Sequence, residues 1–139
     1  MNSEIAEYMA LLQQAIIDDD IEDVADEVVE ELESRPDAID AIEPILRLIE
    51  NNPDADFGAP GALVHFVERF LRKGYEDKLV ASVIRRPVFH TLWMINRIIN
   101  GTKGDEKKYY LTILDNVIAM PNLEDYLIER AQEFRSLHE

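Results

Sequence analysis

The chain contains no cysteine, only five glycines among its 139 residues, and no long apolar run. The missing cysteine excludes disulfides, thiolate metal sites and cysteine nucleophiles, and it suits a reducing compartment. A membrane-spanning helix needs about 18 consecutive apolar residues, so a membrane protein is not expected. The N-terminal residues also lack the basic and apolar regions of a signal peptide, and we therefore expect a cytoplasmic protein.

Motifs for catalysis are missing as well. The sequence has no nucleophile elbow, no glycine-rich phosphate loop and no metalloprotease motif. His65 and Glu68 have the i, i+3 spacing of di-iron helix bundles, but those sites need two such motifs and two further Glu residues. We therefore expect no enzyme, no metal and no cofactor. A small enzyme that uses His65, Glu68, His90 and Arg97 is a less favoured alternative.

Positive charge is scarce at the start of the chain. Residues 1–56 contain eighteen Asp or Glu and two Arg, whereas residues 57–104 contain eight Lys or Arg and three acids. The net charge of −15 repels nucleic acid and anionic lipid surfaces but attracts a basic protein. We therefore expect a protein partner and no direct binding to nucleic acid or membrane. The sequence does not indicate the oligomeric state.

Apolar residues recur at spacings of three and four from Ile5 to Leu137, which predicts an all-α fold with about eight helices. Strand patterns are nearly absent. Short turns suggest antiparallel pairs over residues 1–33, 37–73, 75–100 and 105–138, within a single all-helical domain, 1–139. Such pairs form either a short HEAT- or armadillo-like stack or an irregular helical bundle.

Capping residues and prolines predict where several helices begin and end. Ser3 is expected to cap the first helix, and Pro87 to begin the sixth. Pro44 lies inside the third helical pattern and should kink or split that helix, because it lacks a backbone donor. The fourth helix is expected to end at Lys73. The apolar side chains of all eight patterns are expected to face inward, and they include Ile39, Phe70, Leu71, Ile84, Tyr126 and Leu137.

A stripe of polar and aromatic residues follows one face of the sixth helix. Its members recur at spacings of four, three, four and three, namely Arg86, His90, Trp93, Arg97 and Asn100. Since Trp and Arg are enriched at binding hot spots, the stripe is a candidate recognition face, with Arg97 placed to stack on Trp93. The alternative is that Trp93 lies in the core and the arginines pair with acids of neighbouring helices.

The second helix carries a one-sided run of acids. They share the face opposite its apolar residues: Asp19, Glu22, Asp23, Asp26, Glu27, Glu30 and Glu33. Like charges at i, i+4 destabilise a helix, so a cluster without balancing cations indicates either a solvated face or a binding site for a basic partner. The residues expected to bind are Asp23, Asp26, Glu27 and Glu30.

The longest irregular connection precedes the fourth helix and ends with the loop Asp54–Gly61. It holds two acids, two glycines and a proline, but it lacks the later ligands of an EF-hand and the Lys of a P-loop. One interpretation is a shaped connector with Phe57 in the core. The other is a functional loop that borders the sixth-helix stripe and contributes Asp54 and Asp56 to binding.

The middle of the chain, residues 54–101, resembles immunity proteins of bacterial polymorphic-toxin and contact-dependent inhibition systems. Two segments show the resemblance, DFGAPGALVHFVE from Asp56 and RPVFHTLWMINRIIN from Arg86. The positions that match the family's pattern are Asp56, Gly58, Pro60, His65, Glu68, Arg86, Pro87, Trp93, Asn96, Arg97 and Asn100. The resemblance implies a cytoplasmic protein that binds and silences a cognate toxin domain.

The sequence thus favours a protein-binding inhibitory module that occludes a basic toxin domain. A HEAT-like interaction adaptor without a toxin partner is the first alternative. The candidate partner-binding residues are Asp23, Asp26, Glu27, Glu30, Asp54, Asp56, His65, Arg86, His90, Trp93, Asn96, Arg97 and Asn100.

Overall fold

The computed structural model describes residues 2–138, and within that range it contains eight α-helices, one 3-10 helix and no strand. The all-α prediction is confirmed. The α-helices are α1 (Ser3–Ile17), α2 (Ile21–Glu33), α3 (Ile42–Asn51), α4 (Ala62–Glu68), α5 (Tyr75–Arg85), α6 (Phe89–Asn100), α7 (Gly104–Ile118) and α8 (Asp125–Ser136), and the 3-10 helix spans Ala38–Ala41. Nowhere in residues 2–138 does a helix have the length and apolar character that a bilayer crossing requires.

Contacts group the chain into two compact units, one ending at Lys78 and the other starting at Leu79. In the first unit α2 packs against both α1 and α4, while α3 packs against α1. The third and fourth helices were expected to pair with each other. Instead, α3 packs against α1 and α4 packs against α2. In the second unit α7 and α8 make the most extensive contact, as expected, and α6 packs against both. The single domain over residues 1–139 stays a prediction.

The first turn of α1 is capped one residue earlier than expected. Asn2 is the N-cap, and its Oδ1 accepts a hydrogen bond from the Ile5 backbone N–H at 2.8 Å. Ser3 is instead the first helical residue, so its predicted role as the cap is wrong. An asparagine is as good a cap as a serine, and sequence patterns do not separate two adjacent candidates.

Pro44 marks a split in the third helical pattern, as expected. The 3-10 helix ends at Ala41, and α3 begins at Ile42. Pro44 is thus the third residue of α3, where a backbone N–H would have no intrahelical acceptor. Ala38 and Ala41 are buried at the three-residue period of the 3-10 helix, so Ile39 points outward and is 40% exposed. The inward placement of Ile39 was wrong.

The carboxyl end of α3 is joined to α1 by a pair of amide side chains. Asn52 Nδ2 donates to the Leu48 carbonyl at 2.8 Å and to Gln13 Oε1 at 2.9 Å. Asn52 Oδ1 accepts from Gln13 Nε2 at 3.1 Å. The C-cap residue Asn52 therefore satisfies a terminal carbonyl of α3 and ties the helix to its neighbour.

An arginine links the segment after α2 to the start of α1. Arg35 donates from Nε and Nη2 to the two carboxylate oxygens of Asp37 at 2.8 and 3.0 Å, and from Nη1 to Glu4. Asn2 Nδ2 donates to Asp37 at 2.7 Å. The hydrogen bond from Arg35 lowers the pKa of the Asp37 carboxyl below its usual range. Arg35 therefore ties the segment that follows α2 to the first turn of α1.

Helix α4 is shorter than the sequence pattern suggests. It ends at Glu68 because the next three N–H groups, on Arg69, Phe70 and Leu71, bond to carbonyls three residues back and tighten the chain into turns. Leu71 is 44% exposed, and Phe70 is half-buried with its ring edge-on to Phe66 at 5.6 Å. The helix end at Lys73 and the inward position of Leu71 were therefore wrong.

Three apolar side chains expected in the core of the later helices are exposed instead. Ile84 on α5, Tyr126 on α8 and Leu137 are 56%, 43% and 69% exposed. Helix α8 buries only the i, i+4 stripe of Leu127 and Ala131, and it ends before Leu137. Helix α6 begins at Phe89, two residues after Pro87, so the predicted start of the sixth helix at Pro87 was wrong.

Candidate functional site

The outer face of α2 presents four acids to solvent. Asp23, Asp26, Glu27 and Glu30 are all exposed, while Ala25, Val28 and Leu32 on the opposite face are buried. Within residues 2–138, none of the four carboxylates lies within 4 Å of a Lys, Arg or His nitrogen. Their charge is therefore not neutralised inside the part of the chain that the structure describes. We call these four residues the acidic face.

The structure brings the Asp54–Gly61 loop to the start of this helix. Asp56 lines a cavity of about 220 Å³ together with Ile21 and four further acids, Asp19, Asp20, Glu22 and Asp23. A neighbouring cavity of about 490 Å³ shares Asp19, Ile21 and Asp56 with the first and is also lined by residues 51–55 and Ile16. Asp56 and Asp23, which belong to separate sequence features, therefore border one acidic recess.

The loop that carries Asp56 is held by a hydrogen bond between the Asp56 side chain and the loop backbone, and by a buried aromatic ring. Asp56 Oδ1 accepts a hydrogen bond from the Gly58 N–H at 2.9 Å, and Phe57 is 3% exposed. Gly58 and Gly61 have φ of +109° and +95°, a conformation that favours glycine. The buried position of Phe57 expected for a shaped connector is confirmed. Asp54 and Asp56 themselves are exposed.

The carboxylates that line this recess can accept hydrogen bonds. Ionised carboxylates accept from guanidinium and ammonium groups, and bidentate pairing with arginine is the strongest form of this contact. Among the residues that the structure describes, no group of three or more His, Cys, Asp or Glu side chains is arranged to hold a metal ion.

His65 and Glu68 lie on α4 at the spacing seen in the sequence. His65 Nδ1 is 3.7 Å from Glu68 Oε1, a distance that fits an ion pair and is too long for a hydrogen bond. The His65 side chain is 63% exposed, whereas that of Glu68 is 17% exposed. His65 is therefore accessible to a partner, as its place among the candidate binding residues requires.

The stripe on α6 is not uniformly exposed. Arg86 precedes the helix and is exposed, as is Asn100 at its end. Trp93 and Arg97 are half-buried, and His90 is 8% exposed with its ring edge-on to Trp93 at 5.6 Å. The residues at the two ends of the stripe are therefore exposed to solvent, whereas His90 is buried in the protein. The predicted stack of Arg97 on Trp93 and the predicted adjacency of the stripe to the Asp54–Gly61 loop stay predictions.

Sequence reasoning missed Phe89 as a member of this surface. Its ring centroid lies 6.3 Å from that of Trp93 and 6.1 Å from that of Phe134 on α8, and Phe89 is 37% exposed. The i, i+4 spacing of Phe89 and Trp93 was the available signal. The contact with Phe134 depends on how α8 packs against α6, which no local pattern contains.

Asn96, a candidate binding residue, faces the protein instead of solvent. It is 7% exposed, and its Oδ1 lies 2.6 Å from Nε2 of His138 at the end of α8. Burial, with smaller effects from Lys107 and Arg135, lowers the pKa of the His138 imidazole. Asn96 therefore joins α6 to the end of α8.

The depressed pKa of His138 predicts a stability that falls with acidification. The unfolded chain, with an imidazole pKa of about 6.5, binds the proton more readily than the folded chain. The contribution is therefore complete above that pH and is lost as pH falls from about 6.5 toward the folded pKa. Urea denaturation between pH 7.5 and about pH 5 should show this loss in the native chain. His138→Gln should remove it, and exposed His65→Gln should retain it. An equal pH dependence in all three proteins would contradict the prediction.

Apart from His65 on α4 and the buried Asn96, the candidate residues form two groups. One is the acidic face of α2 with the recess beside Asp56, in residues 2–78. The other is the partly buried surface around Trp93, in residues 79–138. No protein-family model, curated protein or solved structure matches this chain.

Proposed function

We propose that this protein is an inhibitory binding module whose acidic face covers the active site of a basic protein partner. The observation that carries the proposal is the acidic face itself, with four exposed carboxylates that have no cation within 4 Å among residues 2–138. A cluster of like charges on one helix destabilises that helix, and pairing with a basic partner compensates for this repulsion. The resemblance to immunity proteins makes a toxin domain the favoured partner.

The acidic recess extends this surface beyond α2. Asp19, Glu22 and Asp56 surround a cavity that is large enough for the end of an arginine or lysine side chain. Carboxylates in this arrangement resemble the phosphates of a nucleic acid, which a basic nuclease binds through its own Arg and Lys residues. Inhibition would then follow from occupation of the partner's substrate site by Asp and Glu side chains.

Electrostatic attraction of this kind acts first on the association rate. A strongly acidic surface steers a basic partner during diffusional encounter, and salt weakens this steering because the Debye length is about 8 Å at physiological ionic strength. The inhibitor should consequently bind its partner fast at low salt and more slowly as salt rises.

Neutralising the acidic face should slow association without harming the fold. We expect the quadruple variant Asp23→Asn, Asp26→Asn, Glu27→Gln and Glu30→Gln to associate at least about tenfold more slowly at low salt, because steering changes rates by about 10 to 1,000-fold. Its stability should be unchanged or higher, since the four residues are exposed and repel one another. The partner is first isolated from the source cells with the tagged protein, and association is then followed by stopped flow across a salt series.

A matched control carries the same change of net charge on another surface. The exposed acids Asp105, Glu124, Asp125 and Glu129 can be replaced by their amides in the same way. This control should associate almost as fast as the native chain. Equal rates and equally flat salt dependence in the native chain and the acidic-face variant would refute the proposal, as would a bound partner that keeps its full activity.

A further inference from the structure

An apolar groove lies between α1 and α3 in the first unit. It encloses a cavity of about 450 Å³, and half of the residues that line it are apolar: Met9, Ala10, Pro44 and Leu48. This volume lies within the range of about 300 to 1,000 Å³ that is typical of ligand sites. We call this cavity the α1–α3 groove.

The walls of the α1–α3 groove are held in place by the fold itself. Leu48 is 7% exposed and belongs to the core. On the α1 side, the Gln13 amide is fixed by two hydrogen bonds to the Asn52 amide, at 2.9 and 3.1 Å. Because these side chains are already ordered, a group that enters the groove binds with a small ordering cost.

The α1–α3 groove continues toward the acidic recess. Asn51 lines both the groove and the neighbouring cavity of about 490 Å³. That cavity in turn shares Asp19, Ile21 and Asp56 with the acidic recess at the start of α2. The three cavities therefore follow one another, and an extended segment that lies along them can place one side chain in the groove and others against the acids.

The charges along this path are almost all negative. The groove itself contains one acid and one base, and Arg47 Nη2 lies 3.4 Å from Glu43 Oε1. Among residues 2–138, six acids and no Lys or Arg line the other two cavities: Asp19, Asp20, Glu22, Asp23, Asp54 and Asp56.

The charge of the whole first unit has the same sign. Residues 1–78 contain twenty-one Asp or Glu and six Lys or Arg, a net charge of −15. A second copy of the chain or an anionic molecule is therefore repelled from this path, whereas a basic segment is attracted to it.

We infer that the α1–α3 groove receives an aromatic or long aliphatic side chain of the basic partner, from a segment whose neighbouring Arg or Lys residues pair with the acidic recess. The inference rests on the proposed function, since one partner would occupy both places. Aromatic side chains buried in pockets contribute most of the binding energy of many interfaces, and such contacts act mainly on dissociation. The acids would supply fast association, and the groove would supply a long-lived complex.

Two synthetic peptides test this inference without the natural partner. Each carries a fluorescein label and a run of Arg residues, with Trp at the centre of one peptide and Ala at the same position in the other. Binding to the full chain is followed by fluorescence anisotropy. The Trp peptide should bind about tenfold more tightly, because the Arg residues contribute equally to both peptides and only Trp fills the groove.

A polar groove should abolish this preference. The double variant Met9→Gln, Ala10→Gln changes a half-buried and an exposed residue of the groove and leaves the net charge unaltered. Its preference for the Trp peptide should fall to within about twofold. The matched control Ala119→Gln, Met120→Gln makes the same exchanges at an exposed and a half-buried residue of the second unit. This control should retain the tenfold preference.

The acidic-face variant separates this inference from the proposed function. It should bind both peptides more weakly and keep the preference for Trp, because the acidic face and the groove make different contacts. Equal binding of the two peptides by the native chain would overturn the inference about the groove and leave inhibition through the acidic face standing. Conversely, a bound partner that keeps its full activity would refute the proposed function whatever the peptides do.

Three further results would overturn the inference. The first is a tenfold preference that persists in the groove variant. The second is binding of N-acetyltryptophanamide as tightly as the Trp peptide, which would make the groove a site for free small molecules. The third is a dimer of the native chain, seen by sedimentation, that the groove variant does not form. If the double variant loses helical content by circular dichroism, Ala10→Gln alone serves, since Ala10 is exposed, and it should lower the preference to about threefold.

Discussion

Replacing Gly61 by alanine should destabilise the protein by at least about 3 kcal/mol. An added Cβ at Gly61 would lie 1.7 Å from the Phe57 carbonyl oxygen, and φ is +95°. The clash involves backbone atoms, so no side-chain rotation can relieve it. The loop must shift, and because Asp56 belongs to that loop, the acidic recess should change shape as well. Urea denaturation measures the loss of stability.

Gly74→Ala is the matched control for this prediction. Gly74 has a similar φ of +108°, but an added Cβ would meet no atom within 4 Å. It should therefore cost only the backbone strain of a left-handed alanine, about 1 kcal/mol. Equal losses at the two glycines would show that the close approach to Phe57 has no energetic effect, contrary to our expectation.

Truncation of Phe66 to alanine should cost about 3 to 5 kcal/mol, the range for a buried phenylalanine. Phe66 is 0% exposed, and α4 that carries it packs against α2. The loss includes the transfer of the ring to water in the unfolded state and the cavity that the folded core cannot refill. The free energy of unfolding in urea is again the measurement.

Phe70→Ala provides the comparison, since its ring touches Phe66 at 5.6 Å but is only half-buried in the turn after α4. Its loss should be about 1 kcal/mol. Equal losses of stability in Phe70→Ala and Phe66→Ala would contradict this prediction. They would show that the Phe70 ring contributes to the core as much as the fully buried Phe66 ring does. The double variant should be less destabilised than the two single losses predict, because the rings are in contact.

The sequence alone determined the all-α fold and the buried faces of α1, α2, α3 and α7. Leu12, Val28, Leu46 and Leu114 lie in strong three-to-four patterns and are all buried. The exposure of Asp23, Asp26, Glu27 and Glu30 followed from the same periodicity. Both results depend only on which residues share a face of one helix, and the spacing of residues along the sequence gives that directly.

Only the tertiary structure decided which features lie together. Asp56 meets the start of α2, more than thirty residues earlier in the chain, and Phe134 meets Phe89 across α6 and α8. Packing also buried Asn96, and hydrogen bonds to carbonyls three residues back ended α4 at Glu68 and left Leu71 exposed. These outcomes depend on side chains that are distant in sequence and on hydrogen bonds that compete with the helix at its ends. Periodicity within a single helix contains no information about either.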